Sequence, residues 1–229
     1  MADDDDPPVR RAEMLRWSEA LAGIARTGLG FTESLYERER FEEVLKVAAD
    51  MRAALRDTEG ADAHHAEWLR AVGKGVPGYV TPKVAIGAVV GNDDGELLLV
   101  QRADSGVWLY PTGWADIGYS ASEVAVKEVA EETGIIAEPV RVLAVLDGLR
   151  LGFTSVPLYS IVFHLRFRGG SLERHPLECR DVGWFAEDRL PEPLAGGNLW
   201  GPVAFAAIRG EPVDVLWDRP RKPVWRDVD

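Results

Sequence analysis

The stretch Gly113-Trp-Ala-Asp-Ile-Gly-Tyr-Ser-Ala-Ser-Glu-Val-Ala-Val-Lys-Glu-Val-Ala-Glu-Glu-Thr-Gly-Ile135 decides how the chain is read. Ser120 or Ser122 can cap a helix over residues 121–133, and Gly134 is placed to end it. On that helix Glu128, Glu131 and Glu132 stand at i, i+3 and i+4, so their carboxylates share one face, while Ala125, Val126 and Val129 turn away from it. Like charges stacked in this way repel. A hard divalent cation, which prefers oxygen ligands, is the usual compensation, so the spacing predicts a Mg²⁺ or Mn²⁺ site. For three glutamates taken alone, a solvated acidic face is the competing account.

On either side of the helix the texture is that of strands. Residues 84–90 and 96–101 flank Gly91-Asn-Asp-Asp-Gly95, a hairpin turn signal, and later runs at 141–146, 158–167 and 182–185 also read as strands. More helical material lies near 203–208. The order strands, helix, strands predicts an α+β or α/β sandwich rather than a doubly wound sheet.

Before residue 73 the chain is helical in pattern. Met14, Trp17, Leu21 and Ile24 recur at three- and four-residue steps over residues 10–27, with Gly28 and Gly30 expected to end that helix. Thr32 or Ser34 can cap a second helix whose inner side carries Leu35, Phe41, Val44, Leu45, Ala48, Met51 and Leu55, and a third is expected over 61–72. The Gly/Pro-rich stretch 73–78 reads as a linker, and it lacks the spacing of a phosphate-cradling loop. The expected organisation is therefore an acidic disordered tail at 1–9, a helical N-terminal domain at 10–75 and a second domain at 76–229.

Acidic residues outnumber basic ones 38 to 26 in this chain of 229 residues, a net charge of -12. Such a field repels nucleic-acid backbones and anionic membrane surfaces, and an anionic small substrate requires a local inversion of sign. No apolar run approaches the ~20 residues of a spanning helix. Residues 1–8 hold four consecutive aspartates and do not look like a targeting segment, and the lone Cys179 suits a reducing compartment, so a cytoplasmic location is expected. His64, His65, His164 and His175 lack the spacing of a zinc site, and no Gly-x-Ser-x-Gly elbow is present.

The stretch at 113–135 resembles the signature of the Nudix hydrolases, Gly-x5-Glu-x7-Arg-Glu-U-x-Glu-Glu-x-Gly-U with U aliphatic. Gly113, Glu128, Val129, Glu131, Glu132, Gly134 and Ile135 match in register. Tyr119 stands in place of the first glutamate, Lys127 in place of the arginine, and Thr112 where many members have glycine. Further segments, Gly78-Tyr-Val-Thr-Pro-Lys-Val84, Ile24-Ala-Arg-Thr-Gly-Leu29 and Tyr36-Glu-Arg-Glu-Arg-Phe41, resemble a bacterial subfamily with a helical N-terminal domain. Its members include CDP-choline pyrophosphatases and ADP-ribose-cleaving enzymes, and the likeness runs from about residue 16 to residue 217.

The resemblance implies an α/β/α sandwich with a mixed sheet behind a small all-α domain, and a homodimer formed partly through the N-terminal helices. It implies Mg²⁺- or Mn²⁺-dependent hydrolysis of a nucleoside-diphosphate conjugate to a nucleoside monophosphate. By position Glu128, Glu131 and Glu132 hold metal, with the Gly113 carbonyl as a further ligand, and Lys127 orients the glutamates. One glutamate of the helix, or Glu178 from a later loop, would be the base. Arg102 is the candidate phosphate contact, and Trp114 and Tyr119 the candidate substrate contacts among the aromatics Trp108, Tyr110, Trp114, Tyr119 and Trp184. The segment Asp147-Gly-Leu-Arg150 departs from the subfamily's Asp-Arg pattern and leaves the leaving-group side unassigned. The substitutions at 112, 119 and 127 keep a second account open, a catalytically weak Nudix domain that senses a nucleotide ligand.

Overall fold

The structure, a computed structural model, describes residues 8–55, 60–74, 80–116 and 118–220. Residues 1–7 of the expected acidic tail and 75–78 of the expected linker lie outside them. The chain divides into two compact units, Met1–Pro82 with Thr154–Pro157, and Lys83–Phe153 with Leu158–Asp229.

The first unit is built on three helices, α1 (Pro8–Phe31), α2 (Leu35–Ala53) and α3 (Ala61–Arg70). Its core gathers Ala22, Ala25, Leu29, Leu45, Ala48, Ala49 and Trp68. Gly28 and Gly30 do not end α1 as expected; the helix continues through both to Phe31. The reason at Gly28 is packing: a Cβ there would lie 2.3 Å from the tip of the Phe41 ring, so glycine lets α2 approach. Ser34, not Thr32, caps α2, its hydroxyl accepting from the Glu37 N–H.

The second unit has an eight-stranded mixed sheet between two helices. Its strands are β1 (Lys83–Gly91), β2 (Leu97–Arg102), β3 (Trp108–Leu109), β4 (Thr112–Trp114), β5 (Ile135–Asp147), β6 (Leu158–Gly170), β7 (Cys179–Phe185) and β8 (Leu216–Trp217), with α4 (Ala121–Thr133) and α5 (Gly197–Ile208). The sheet order is β3-β2-β1-β6-β5-β8, with β4 paired to β1 and β7 to β2. β1 runs parallel to β6 along its whole length. Its other edge forks: β2 meets it at Gly91↔Leu97, and β4 pairs antiparallel over Ala85–Gly87. One face of the sheet packs Val124, Ala125 and Val129 of α4 on Ile86, Ala88, Val90, Leu98 and Leu165. The other packs Trp200, Ala204, Phe205 and Ala207 of α5 on Val89, Leu97, Leu99, Leu143 and Val162. This is the expected α/β/α sandwich of the α+β class.

Several boundaries differ from expectation. β5 begins at Ile135, six residues before the predicted start: Pro139 sits at a register shift of the β5–β6 ladder, in the part of β5 that β8 does not cover, so the strand runs through it. α5 begins at Gly197 rather than near 203, and β7 begins at Cys179 rather than 182. The short strands β3, β4 and β8 were not predicted.

α4 is fixed at both ends. Ser120 forms a capping box, its hydroxyl accepting from the Glu123 N–H while the Glu123 carboxylate accepts from the Ser120 N–H at 2.6 Å. Gly134 closes the helix at φ 72° and donates to the Ala130 carbonyl at 3.0 Å. Ser120→Ala is expected to cost about 1 kcal/mol of stability in denaturant unfolding, whereas Ser122→Ala leaves the unfolding midpoint nearly in place.

Candidate active site

The helical repeat divides the three glutamates. At about 100° per residue, Glu132 lies about 40° from Glu128 on one side and Glu131 about 60° on the other. Glu128 and Glu132 are buried, at 9% and 4% exposure, whereas Glu131 is exposed. The burial comes from β4. Thr112 donates its backbone N–H to Glu132 Oε2 at 3.0 Å, and its hydroxyl donates to the Ile86 carbonyl, which fixes the strand. Gly113 lies against Glu128, since a Cβ on it would stand 2.2 Å from the Glu128 carboxyl carbon. Only glycine admits that carboxylate.

A loop from the far side completes the surroundings. After β6, the Glu173 N–H donates to the Thr133 carbonyl at 2.8 Å and the His175 N–H to the Glu132 carbonyl at 3.1 Å, which satisfies carbonyls at the end of α4. The same loop carries Glu178, whose carboxylate lies 3.9 Å from His175 Nδ1. Glu178 adds to the negative field at both Glu128 and Glu132.

These fields and burial act in one direction. Burial pushes the Glu132 carboxyl up to about 8; the Thr112 N–H opposes the rise, and Glu128 and Glu178 add to it. Burial raises Glu128 as well, against the pull of the Lys127 ammonium. Cys179, at the end of the same loop, is buried and its thiol is pushed up to about 11, mainly by burial and then by Glu132. It is poorly set up as a nucleophile.

Lys127 turns to other partners. Its Nζ donates to Asp116 Oδ2 at 2.9 Å and lies 3.3 Å from Glu131 Oε2, contacts that raise its affinity for the proton. Among the described residues, neither Glu128 nor Glu132 forms an ion pair with a basic side chain, and no three acidic, histidine or cysteine side chains close on a common point.

The remaining candidates are spread around this centre. Arg102 forks onto Asp104, Nε to Oδ1 at 3.0 Å and Nη2 to Oδ2 at 2.7 Å, and its positive field reaches Glu132. Trp114 follows Gly113 on β4, so strand alternation turns it to the opposite face, where Lys83 Nζ lies 5.7 Å from its ring. Trp114 and Tyr119 are each 55% exposed. Trp108 and Tyr110 are core residues, edge-on to Phe185 and Trp200, and Trp184 packs edge-on to Phe167.

The architecture agrees with what known proteins show. The model described as NUDIX domain matches residues 81–201, over half of the chain. The chain belongs to the Nudix hydrolase family. A second model, described as UDP-X-like, N-terminal oligomerisation domain, matches residues 12–66 of this Nudix hydrolase. A Bacillus subtilis (strain 168) protein, YjhB, provisionally named an ADP-ribose pyrophosphatase, is 33% identical over 187 residues, covering 81% of this chain and 86% of its own. The crystal structure of an ADP-ribose pyrophosphatase from Streptococcus suis is 32% identical with a TM-score of 0.51, covering 60% of this chain and 100% of that one. A crystal structure of UDP-X diphosphatase is 27% identical with a TM-score of 0.53, covering 90% of this chain and 98% of that one.

Thr112 and Asp116 carry contacts that the helical spacing does not announce. Thr112 contributes through its backbone, and Asp116 lies outside the helix, eleven residues before Lys127, so only the shortness of the β4–α4 connection hints at its reach. Gly113→Ala is expected to lower the hydrolase activity about tenfold or more by displacing the Glu128 carboxyl. Steady-state rates checked beside thermal unfolding test this, with a small change in melting temperature expected.

Proposed function

We propose that this Nudix hydrolase is a divalent-cation-dependent pyrophosphohydrolase acting on nucleoside-diphosphate conjugates, of the ADP-ribose type first and the CDP-alcohol type second. The observation that carries the reading is the pair of buried carboxylates, Glu128 and Glu132, held one turn apart with no basic partner among the described residues. The names borne by the Bacillus subtilis and Streptococcus suis relatives favour ADP-ribose as the first substrate to try.

The donor set fits Mg²⁺ or Mn²⁺. It consists of hard oxygens, two of its carboxylates are desolvated by burial, and a cation would relieve their mutual repulsion. Glu128, Glu132 and Glu131, with the Gly113 carbonyl, would hold it. When bound, such an ion neutralises the diphosphate and eases the ionisation of water.

The chain's own residues then have distinct tasks. The Thr112 N–H holds one oxygen of Glu132 in place, and Gly113 gives Glu128 the room to present its carboxylate. Glu178, on the loop that caps α4 and with a negative field that reaches Glu128 and Glu132, is assigned as the proton acceptor for the attacking water. Water adds to one phosphorus, the bridging P–O bond breaks, and the second phosphate leaves on the other product. Arg102 contacts a phosphate oxygen, and Tyr119 offers an exposed ring to an organic moiety, whereas Trp114, exposed on the opposite face of β4 from Glu128, takes no part. Lys127 steadies Glu131. The single, buried Cys179 fits a cytoplasmic enzyme.

Product analysis with ADP-ribose, CDP-choline, UDP-glucose, NADH and nucleoside triphosphates, in Mg²⁺ or Mn²⁺ and in EDTA, tests the reading. ADP-ribose should yield AMP only with the cation, and Glu128→Gln or Glu132→Gln should lose at least about a hundredfold in rate. Tight, cation-dependent binding of one compound without turnover would replace the enzyme reading by the sensor.

The working form is a homodimer joined through the N-terminal helices. On α1, Trp17 and Ile24 stand seven residues apart, two turns, and are 42% and 62% exposed; on α2, Leu35 and Val47 are also exposed. The match of residues 12–66 to an oligomerisation domain supports the same reading. Sedimentation equilibrium should give twice the protomer mass for the wild type and a monomer for Ile24→Glu; a monomeric wild type rejects the dimer.

A further inference from the structure

The loop between β4 and α4 carries an aspartate that the chemistry above leaves without a task. Asp116 Oδ2 accepts a hydrogen bond from Lys127 Nζ at 2.9 Å, and the same ammonium lies 3.3 Å from Glu131 Oε2. One cation thus joins a loop carboxylate to a helix carboxylate. Lys127 and Glu131 are four residues apart on α4, close enough to pair without help from the loop. With Glu131 as its sole partner, Lys127 would draw that carboxylate into an ion pair along the helix and reduce its negative charge. A second anchor outside the helix divides the pull.

The chemistry of the side chain makes the second anchor matter. An ammonium is a compact charge with three donors that can go to separate oxygens, whereas a guanidinium engages a carboxylate with a rigid planar fork. A lysine at this position therefore takes its direction from where its other partners sit. Asp116 is fixed by the strand before it, since the Ala115 N–H donates to the Val84 carbonyl at 3.0 Å. It also contributes negative field at Glu128.

We propose that Asp116 is a positioning residue of the cation site: it holds Lys127 across the β4–α4 loop, so that the ammonium steadies Glu131 without neutralising it. The proposal rests on the cation-binding reading of Glu128, Glu131 and Glu132 given above. Its signature is coupling, because Asp116 acts through Lys127 and has no further effect once that ammonium is gone.

The test is Mn²⁺ binding to the full-length protein by titration calorimetry, with thermal unfolding of every variant alongside. Asp116→Asn should weaken Mn²⁺ binding about tenfold, and Asp116→Glu should restore most of it. In the Lys127→Met background the added Asp116→Asn should change the affinity less than about twofold. The Mg²⁺ concentration for half-maximal rate should rise in Asp116→Asn while the rate at saturating Mg²⁺ stays within about twofold, a split that a general loss of structure would not give. Unchanged Mn²⁺ affinity in Asp116→Asn, or an equal loss with and without Lys127, overturns the proposal. Absence of Mn²⁺ binding by the wild type overturns the cation-site reading itself, and the role of Asp116 with it.

Discussion

Two carboxylates buried one helical turn apart set the terms for the rest of the second unit. Removing an ionised carboxylate from water costs several kcal/mol unless it is paired, and a like charge nearby adds to that cost. Glu128 and Glu132 carry both penalties, which is why both resist ionisation and why Glu132 is displaced to about 8. A chain folding for stability alone would place apolar residues here. The surrounding structure instead spends its regularity on holding these two groups where they are.

That regularity can be traced element by element. The fork in the sheet, where β2 and β4 share one edge of β1, brings Thr112 and Gly113 beneath α4. The apolar stripe Val124, Ala125 and Val129 secures the opposite side of the helix on the sheet. The capping box fixes where the helix starts, and Gly134 with the Glu173 and His175 N–H groups fixes where it ends. A carboxylate pair with unfavourable self-energy is thus held by interactions that do not depend on its charge. The helix can tolerate the cost because its caps and its apolar face contribute independently.

Local rules made some of this legible in the sequence and left the rest hidden. The span of α4, its capping at Ser120 or Ser122, its closure at Gly134 and the shared orientation of its glutamates all follow from residues within one turn of each other. The division of those glutamates into two buried and one exposed does not, because it depends on β4, a three-residue strand with no periodicity to detect. Gly28 shows the same limit: its neighbours within α1 suggest a helix end, and the reason for its presence is the Phe41 ring thirteen residues on. The first six residues of β5 were likewise hidden, since their place in the sheet rests on pairing with β6 across register shifts. The Asp116–Lys127 pair spans a loop and a helix, a distance that no spacing rule covers.

The same constraint reconciles the chain's charge with its family. A net charge of -12 repels a diphosphate at long range, and the carboxylates of α4 with Glu178 repel it at short range. Arg102 is tied to Asp104 and Lys127 to Asp116 and Glu131, so the nearby basic side chains are already matched by acidic ones. Protein charge alone cannot therefore attract the substrate to the very residues that define the site. On the proposed reading, a divalent cation held by these carboxylates would reverse the local sign, relieve the buried pair and give the anion a partner. Tyr119 and Lys127 fit this scheme, since neither removes a buried carboxylate: one leaves the first glutamate's position neutral, and the other keeps a positive charge next to Glu131. The departures from the family signature leave the two buried carboxylates of α4 in place.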